Sequence, residues 1–302
     1  MLDAILTNWP LSVGAIILGA AVGTLTGFFG AGGGFIITPA LNIFLGLEMN
    51  VAVGTSVCQV LGASAFSLYN HFDKRMMGVR VALFSGIGIP PGAFVGTWLI
   101  KSMKGMQPIV INGASIDPVN FILMVIFAGF LFLIGGWMMF DNFYLRRHSS
   151  GDDSDHVGLL YRFRLRPLFT FRTIPAGAFS VPVLIILGLF MGFLSGLLGI
   201  GGGVIMLPIL FYLVGQETKF ASQSTTMLIF LSGIFSTVFH AIDHNIDYKV
   251  AAMLVFGAFF GARLGAKLQK KVHGKAIRQY FAFVVLAAWL MVLYKLFRMI
   301  YQ

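Results

Sequence analysis

Two glycine clusters, Gly32-Gly33-Gly34 and Gly201-Gly202-Gly203, stand in matched runs from Gly27 to Pro39 and from Gly196 to Pro208. Each precedes an apolar stretch, so each reads as the opening of a helix. The first amides of a helix have no intrahelical acceptor, and together with the helix dipole they favour an anion. Glycine also lets the backbone approach a ligand closely and adopt angles that other residues resist. A tight turn serving packing alone is the plainer reading of the same residues. A dinucleotide fingerprint does not fit, because neither cluster follows a strand in a βαβ unit.

Shortly after each cluster an apolar segment opens with unusual polarity: Thr55, Ser56, Cys58 and Gln59 in one copy, Gln223, Ser224 and Thr225 in the other. Hydroxyls and amides can replace part of an anion's hydration shell without adding fixed negative charge. They can equally bond back to their own helix or bridge to a neighbour. Cys58 by itself reads as a small buried apolar residue. His71 and His240 occupy matched positions and titrate near neutrality, which suits either proton handling or a polar helix end at the membrane interface. Arg263 falls where the other copy has Phe94, and serves either to attract an anion or to snorkel to the lipid headgroups. No HExxH, GxSxG, paired intramembrane carboxylate or metal-spaced Cys/His cluster is present, so no enzyme chemistry, metal or cofactor is expected.

The copies are related by a fixed offset of 169 residues, the separation of Gly32 and Gly201. The same offset pairs Gly46 with Gly215, Glu48 with Glu217, and Gly88, Gly92 and Gly96 with Gly257, Gly261 and Gly265. The chain is therefore an internal duplication. Glycines four residues apart share one helix face and let helices approach closely in lipid. With 58% apolar and 11% charged residues, the chain lies far outside the soluble range, where about a quarter of residues are charged. Ten apolar segments are expected, five per half. The second and seventh, Phe35 to Leu47 and Val204 to Gln216, have 13 residues and are too short to span as helices.

The formal charge of +10 points to a cytoplasmic membrane face rather than to nucleic acid. If each short segment crosses, or folds back on its predecessor, sixteen Lys and Arg fall on one side and five on the other. The positive-inside tendency then places both termini outside, in a multi-pass protein of the cytoplasmic (inner) membrane. An odd number of crossings per half inverts the second copy, the arrangement of many secondary transporters whose sites lie where discontinuous helices meet. The expected fold is thus all-α and membrane-integral: two inverted repeats of five segments each, with half-helices meeting at Gly-rich turns. Residues 1–140 form the first repeat, 141–176 a cytoplasmic linker and 177–302 the second. The linker's basic patch, Tyr161 to Arg166, suits anionic headgroups or a regulatory contact.

The paired motifs, with Val53-Gly54-Thr55-Ser56 and the Gly-Ala-Arg-Leu-Gly-Ala run within Gly257 to Leu268, resemble the TauE/SafE family of sulfite and sulfonate exporters. The resemblance covers both halves, about Leu11 to Lys271. It implies movement of a small sulfur-containing anion, generally outward. One departure stands out: Ser222-Gln223-Ser224-Thr225 replaces Val53-Gly54-Thr55-Ser56, so the half-sites are not expected to contribute equally. Uptake of thiosulfate or a sulfonate, and a non-transporting membrane scaffold, are the rival readings. Lipid is an expected partner, and a homo-oligomer is compatible with the sequence.

Overall fold

The computed structural model describes residues 9–70, 79–111, 114–140, 165–170, 178–216, 218–272 and 274–301. The first half contains α1 (Trp9–Phe29), α2 (Gly34–Phe44), α3 (Met49–Asn70), α4 (Val79–Met103) and α5 (Pro118–Phe140). The second contains α6 (Val181–Leu198), α7 (Gly203–Leu213), α8 (Thr218–Ile242), α9 (Tyr248–Lys271) and α10 (Gly274–Tyr301). All ten expected segments are helical. Among the described residues eight helices are long and apolar enough to cross a membrane, and α2 and α7 are the two short ones. A helix satisfies its own backbone, which is what the hydrocarbon core demands. At 11 residues, α2 reaches about 16 Å, roughly half that core.

The two short helices differ in detail. Pro39 sits within an α2 that stays α-helical to Phe44, whereas beyond the matched Pro208 the turns of α7 widen to a π-helix over Ile209–Leu213. Two small antiparallel hairpins complete the architecture. In one, β1 (Ile109–Ile111) pairs with β2 (Ala114–Ile116) between α4 and α5. In the other, β3 (Leu168–Thr170) pairs with β4 (Ala178–Ser180). The end of the expected linker is therefore tied to the start of α6. Residues 141–164 and 171–176 of that linker, including its acidic stretch, lie outside the described residues, as does His71.

Glycine stripes assemble the helices across the halves. A Cβ added at Gly19, Gly23 or Gly27 of α1 would strike the backbone of Leu254, Ala258 or Ala262 of α9. One added at Gly188, Gly192 or Gly196 of α6 would strike Ser85, Ile89 or Ala93 of α4. Shifting the first set by 169 residues gives the second. Each seam thus joins the first helix of one half to the fourth helix of the other, with backbones touching where only glycine fits. The partner stripes Gly88, Gly92, Gly96 and Gly257, Gly261, Gly265 face back across the same seams. A third pairing sets α5 against α10, with the Phe132 and Trp289 rings 5.3 Å apart. Large apolar side chains such as Phe256, Phe260 and Leu264 of α9 point outward, as lipid contact requires.

Candidate functional site

The two Gly-rich turns meet inside the bundle. Gly30 and Gly32 of the first, and Gly199, Gly201 and Gly202 of the second, all have φ between +66° and +73°, where an L side chain is strained. Their apices are in direct contact: a Cβ on Gly34 would strike Gly199 and Ile200, and one on Gly203 would strike Ala31, the residue matched to Ile200. Gly33 backs onto Val22 of α1, and Gly202 onto the matched Met191 of α6. The packing demand on these glycines is thus met in full. The second turn is itself hydrogen-bonded at Gly201 and Gly202, immediately before α7.

Helices α3 and α8 carry the side chains that hold the turns. Ser56 Oγ lies 2.8 Å from the Val53 carbonyl, 2.9 Å from the Gly199 carbonyl and 2.7 Å from Thr38 Oγ1. With one proton to give, it donates to the carbonyls and accepts from Thr38. Val60, one turn on, packs against Gly201. In α8, Ser222 donates to the Phe29 carbonyl at 2.7 Å and Ser232 to the Gly201 carbonyl at 2.8 Å, while Ile229 packs against Gly32, Gly201 and Gly203. Thr226 reaches the Gly30 carbonyl at 3.4 Å, beyond good geometry, and bonds back to Ser222 at 2.9 Å. The hydroxyl that fixes each turn therefore comes from different positions, Ser56 in α3 and Ser222 in α8. The sequence difference at these positions is a change of which hydroxyl does the holding.

Gln59 lies in α3 three residues past Ser56, while Thr55, Gly62 and Phe66, at i−4, i+3 and i+7 from it, meet α9 or the residue that caps it. Gln59 is fully buried, and neither its amide nitrogen nor its amide oxygen has a partner. Thr225, the match of Ser56, lies on the α8 face shared by Ser222, Ile229 and Ser232, and its buried hydroxyl also lacks a partner. An unsatisfied buried polar group costs about 1–3 kcal/mol.

Other expected residues lie elsewhere. Thr55 accepts a hydrogen bond from the Asp247 amide at 3.0 Å, holding the start of α9. Its match, Ser224, shares an α8 face with Leu231, which packs on Gly86 of α4, so it points away from the turns. Cys58 is half-buried on the face of Gly62, which meets Val255 of α9. Arg263 is exposed on the outer side of α9. His240 is buried, with Nε2 2.9 Å from the Gly196 carbonyl and Nδ1 3.5 Å from the Asn245 amide nitrogen, in a network that closes one end of the bundle. There Lys101 pairs with Asp243 at 2.6 Å and Lys104 donates to Asn245 at 2.6 Å. Towards the other end, Gln223 lines a narrow polar cleft with Ser67, Ser222, Thr226 and Gln269. Gln269, not singled out in the sequence, donates to Ser222 at 2.6 Å. Its only signal is an amide in the last turn of a span.

The family profile described as "Sulfite exporter TauE/SafE" matches residues 15–292. The chain is 27% identical over 228 residues to the Bacillus subtilis "Probable membrane transporter protein YunE", covering 72% of this chain and 74% of that one. It is 23% identical over 212 residues to B. subtilis "Probable membrane transporter protein YjnA", covering 69% and 71%. A 70-residue stretch is 33% identical to the Arabidopsis thaliana "Sulfite exporter TauE/SafE family protein 3", 22% of this chain and 14% of that one. No solved structure gives a significant match. With both glycine turns, both seams and both hydroxyl-bearing helices inside the matched span, the chain belongs to the TauE/SafE family of membrane transporters.

Proposed function

We propose that this chain is a secondary transporter that moves a small sulfur-containing anion, sulfite or an organosulfonate, outward across the cytoplasmic membrane by alternating access. The observation that carries the reading is Gln59: a fully buried amide with no partner for either polar atom, in the helix whose Ser56 and Val60 hold the second Gly-rich turn. Thr225, on the α8 face whose Ile229 and Ser232 meet the turns, adds a buried hydroxyl without a partner. An anion seated there would complete groups that the protein leaves unsatisfied.

The two halves act in this reading as inverted repeats. Their seams exchange under the 169-residue shift, as a two-fold relation between the halves requires. The turns touch, so an ion enters only if they part. The conformer on hand is tied at the Lys101–Asp243 end and carries its polar cleft towards the end bearing Lys267, Lys270 and Lys271. The positive-inside tendency makes that end cytoplasmic and leaves both termini outside. Rocking of one half against the other would then expose the crossing to each side in turn.

The test is counterflow of radiolabelled sulfite, thiosulfate and a sulfonate in liposomes holding purified protein. Saturable exchange that disappears in Gln59→Leu establishes the anion and the site. Assays in vesicles of known orientation separate export from uptake. Folded protein that exchanges none of these anions removes the reading and leaves the packing role of the glycines as a scaffold.

A further inference from the structure

We infer that His240 is a proton-operated latch on the outer end of the bundle: the closed end holds its imidazole neutral, and a proton taken up from the outer side releases it. The latch deepens the transport reading above, on which its use for outward opening rests. Three side chains of α8, at four-residue intervals, tie that helix to the end of α6 and to the second Gly-rich turn. Ser232 donates to the Gly201 carbonyl at 2.8 Å, Ser236 to Ser195 Oγ at 3.0 Å, and His240 Nε2 lies 2.9 Å from the Gly196 carbonyl. His240 is the outermost of the three, about 12 Å of helix from Ser232, and the one that titrates.

Its neighbours fix its charge state. Asn245 turns Oδ1 to the Lys104 ammonium at 2.6 Å, so its Nδ2 is the atom that faces the ring, 3.5 Å from Nδ1. That contact is long, but an amide nitrogen only donates, so Nδ1 is the bare nitrogen and Nε2 carries the proton given to Gly196. An imidazolium would set Nδ1–H against the Asn245 N–H and its charge against Lys104, one amide away. The ring is fully buried, so that charge would have no water to turn to. Of the nearby carboxylates, Asp243 is held by Lys101 at 2.6 Å, and Asp247 caps α9 by accepting from the Lys249 and Val250 amides at 3.1 Å. His244, Tyr248 and Lys249 are exposed at the same end. Helix α6, which meets the ring at Gly196, carries no charged or titratable side chain. Helix α3 meets the His240 Cβ at Gly54; its Cys58 and Tyr69 lie four and fifteen residues further on, and Glu48, just before it, is exposed. Protonation therefore undoes the bonds that close this end, whereas an opened, wetted end accepts the charged ring.

The experiment reads opening directly and needs no anion. In a Cys58→Ala background, Ser236→Cys places one thiol a helical turn behind His240, and Met106→Cys places one at an exposed position. Intact cells receive a membrane-impermeant maleimide at about pH 7.5 and at about pH 5.5, on either side of the ordinary histidine range. The labelling rate at 236 is divided by that at 106, which cancels the fall in thiolate common to both. The expected ratio rises about tenfold on acidification, the change in open fraction for a group that titrates near about 6.5 in the open form alone. His240→Gln keeps a donor for Gly196 but takes no proton, so its ratio should stay level. Asn245→Asp presents a carboxylate to Nδ1–H, so the charged ring fits the closed end and this ratio should stay level too. A level ratio with His240 and Asn245 both intact, or an equal rise in either variant, overturns the latch. If His240→Gln does not fold, Asn245→Asp decides alone. The tenfold rise in protein that exchanges none of the anions keeps the latch and removes the transport reading; exchange with a level ratio removes the latch and keeps transport.

Discussion

The proposed function and stability can be separated at a single residue, Gln59. Its match in the other half is Leu228, also fully buried, so leucine is already accepted by this architecture at the equivalent place. Replacing Gln59 by leucine removes two buried atoms that bond to nothing, each an expense of about 1–3 kcal/mol. Gln59→Leu is therefore expected to raise the melting temperature in detergent while lowering anion exchange at least tenfold. A lowered melting temperature would show that the amide is structural and sink the site. Ser56 gives the opposite pattern. Its hydroxyl ties Gly199 and Thr38, so Ser56→Ala should cost about 1–3 kcal/mol, read as a lower melting temperature.

Thr55 and the closed end of the bundle belong to the scale of elements. Thr55→Val removes the acceptor of the buried Asp247 amide and should destabilise the start of α9 by about 1–3 kcal/mol. Exchange per folded molecule should persist, and its complete loss would return Thr55 to the site. Lys101→Ala breaks an ion pair whose lysine side chain is 64% exposed, so its effect on stability should stay below about 1 kcal/mol. How far these roles could be read in advance depends on periodicity. The two turns, the short helices and the glycine stripes follow from spacing along one chain, and the sequence showed all of them. Which hydroxyl holds which turn does not, because Ser56 and Ser222 reach carbonyls 143 and 193 residues away. Thr55 and Ser224 stand beside the true contacts in sequence yet point to other helices. A helix turns about 100° per residue, so neighbouring letters in a motif face different partners.

At the scale of the whole molecule, the duplication can be inverted or parallel, and these differ in one observable. An odd number of crossings in each half puts matched residues on opposite membrane faces. The distribution of sixteen and five basic residues favours inversion, and the exchanged glycine seams are what a two-fold relation between the halves produces. In a Cys58→Ala background the chain has no other thiol, so single cysteines report their own side. Glu48→Cys and Glu217→Cys are matched by the 169-residue offset, and Met106→Cys sits at an exposed position between α4 and α5. A membrane-impermeant thiol reagent applied to intact cells should label positions 48 and 106 and leave 217 unlabelled until the membrane is opened. Labelling of 48 and 217 from the same side would make the copies parallel. The turns could not then approach from opposite faces, and alternating access by rocking of inverted halves would have to be given up even if the anion site at Gln59 stood.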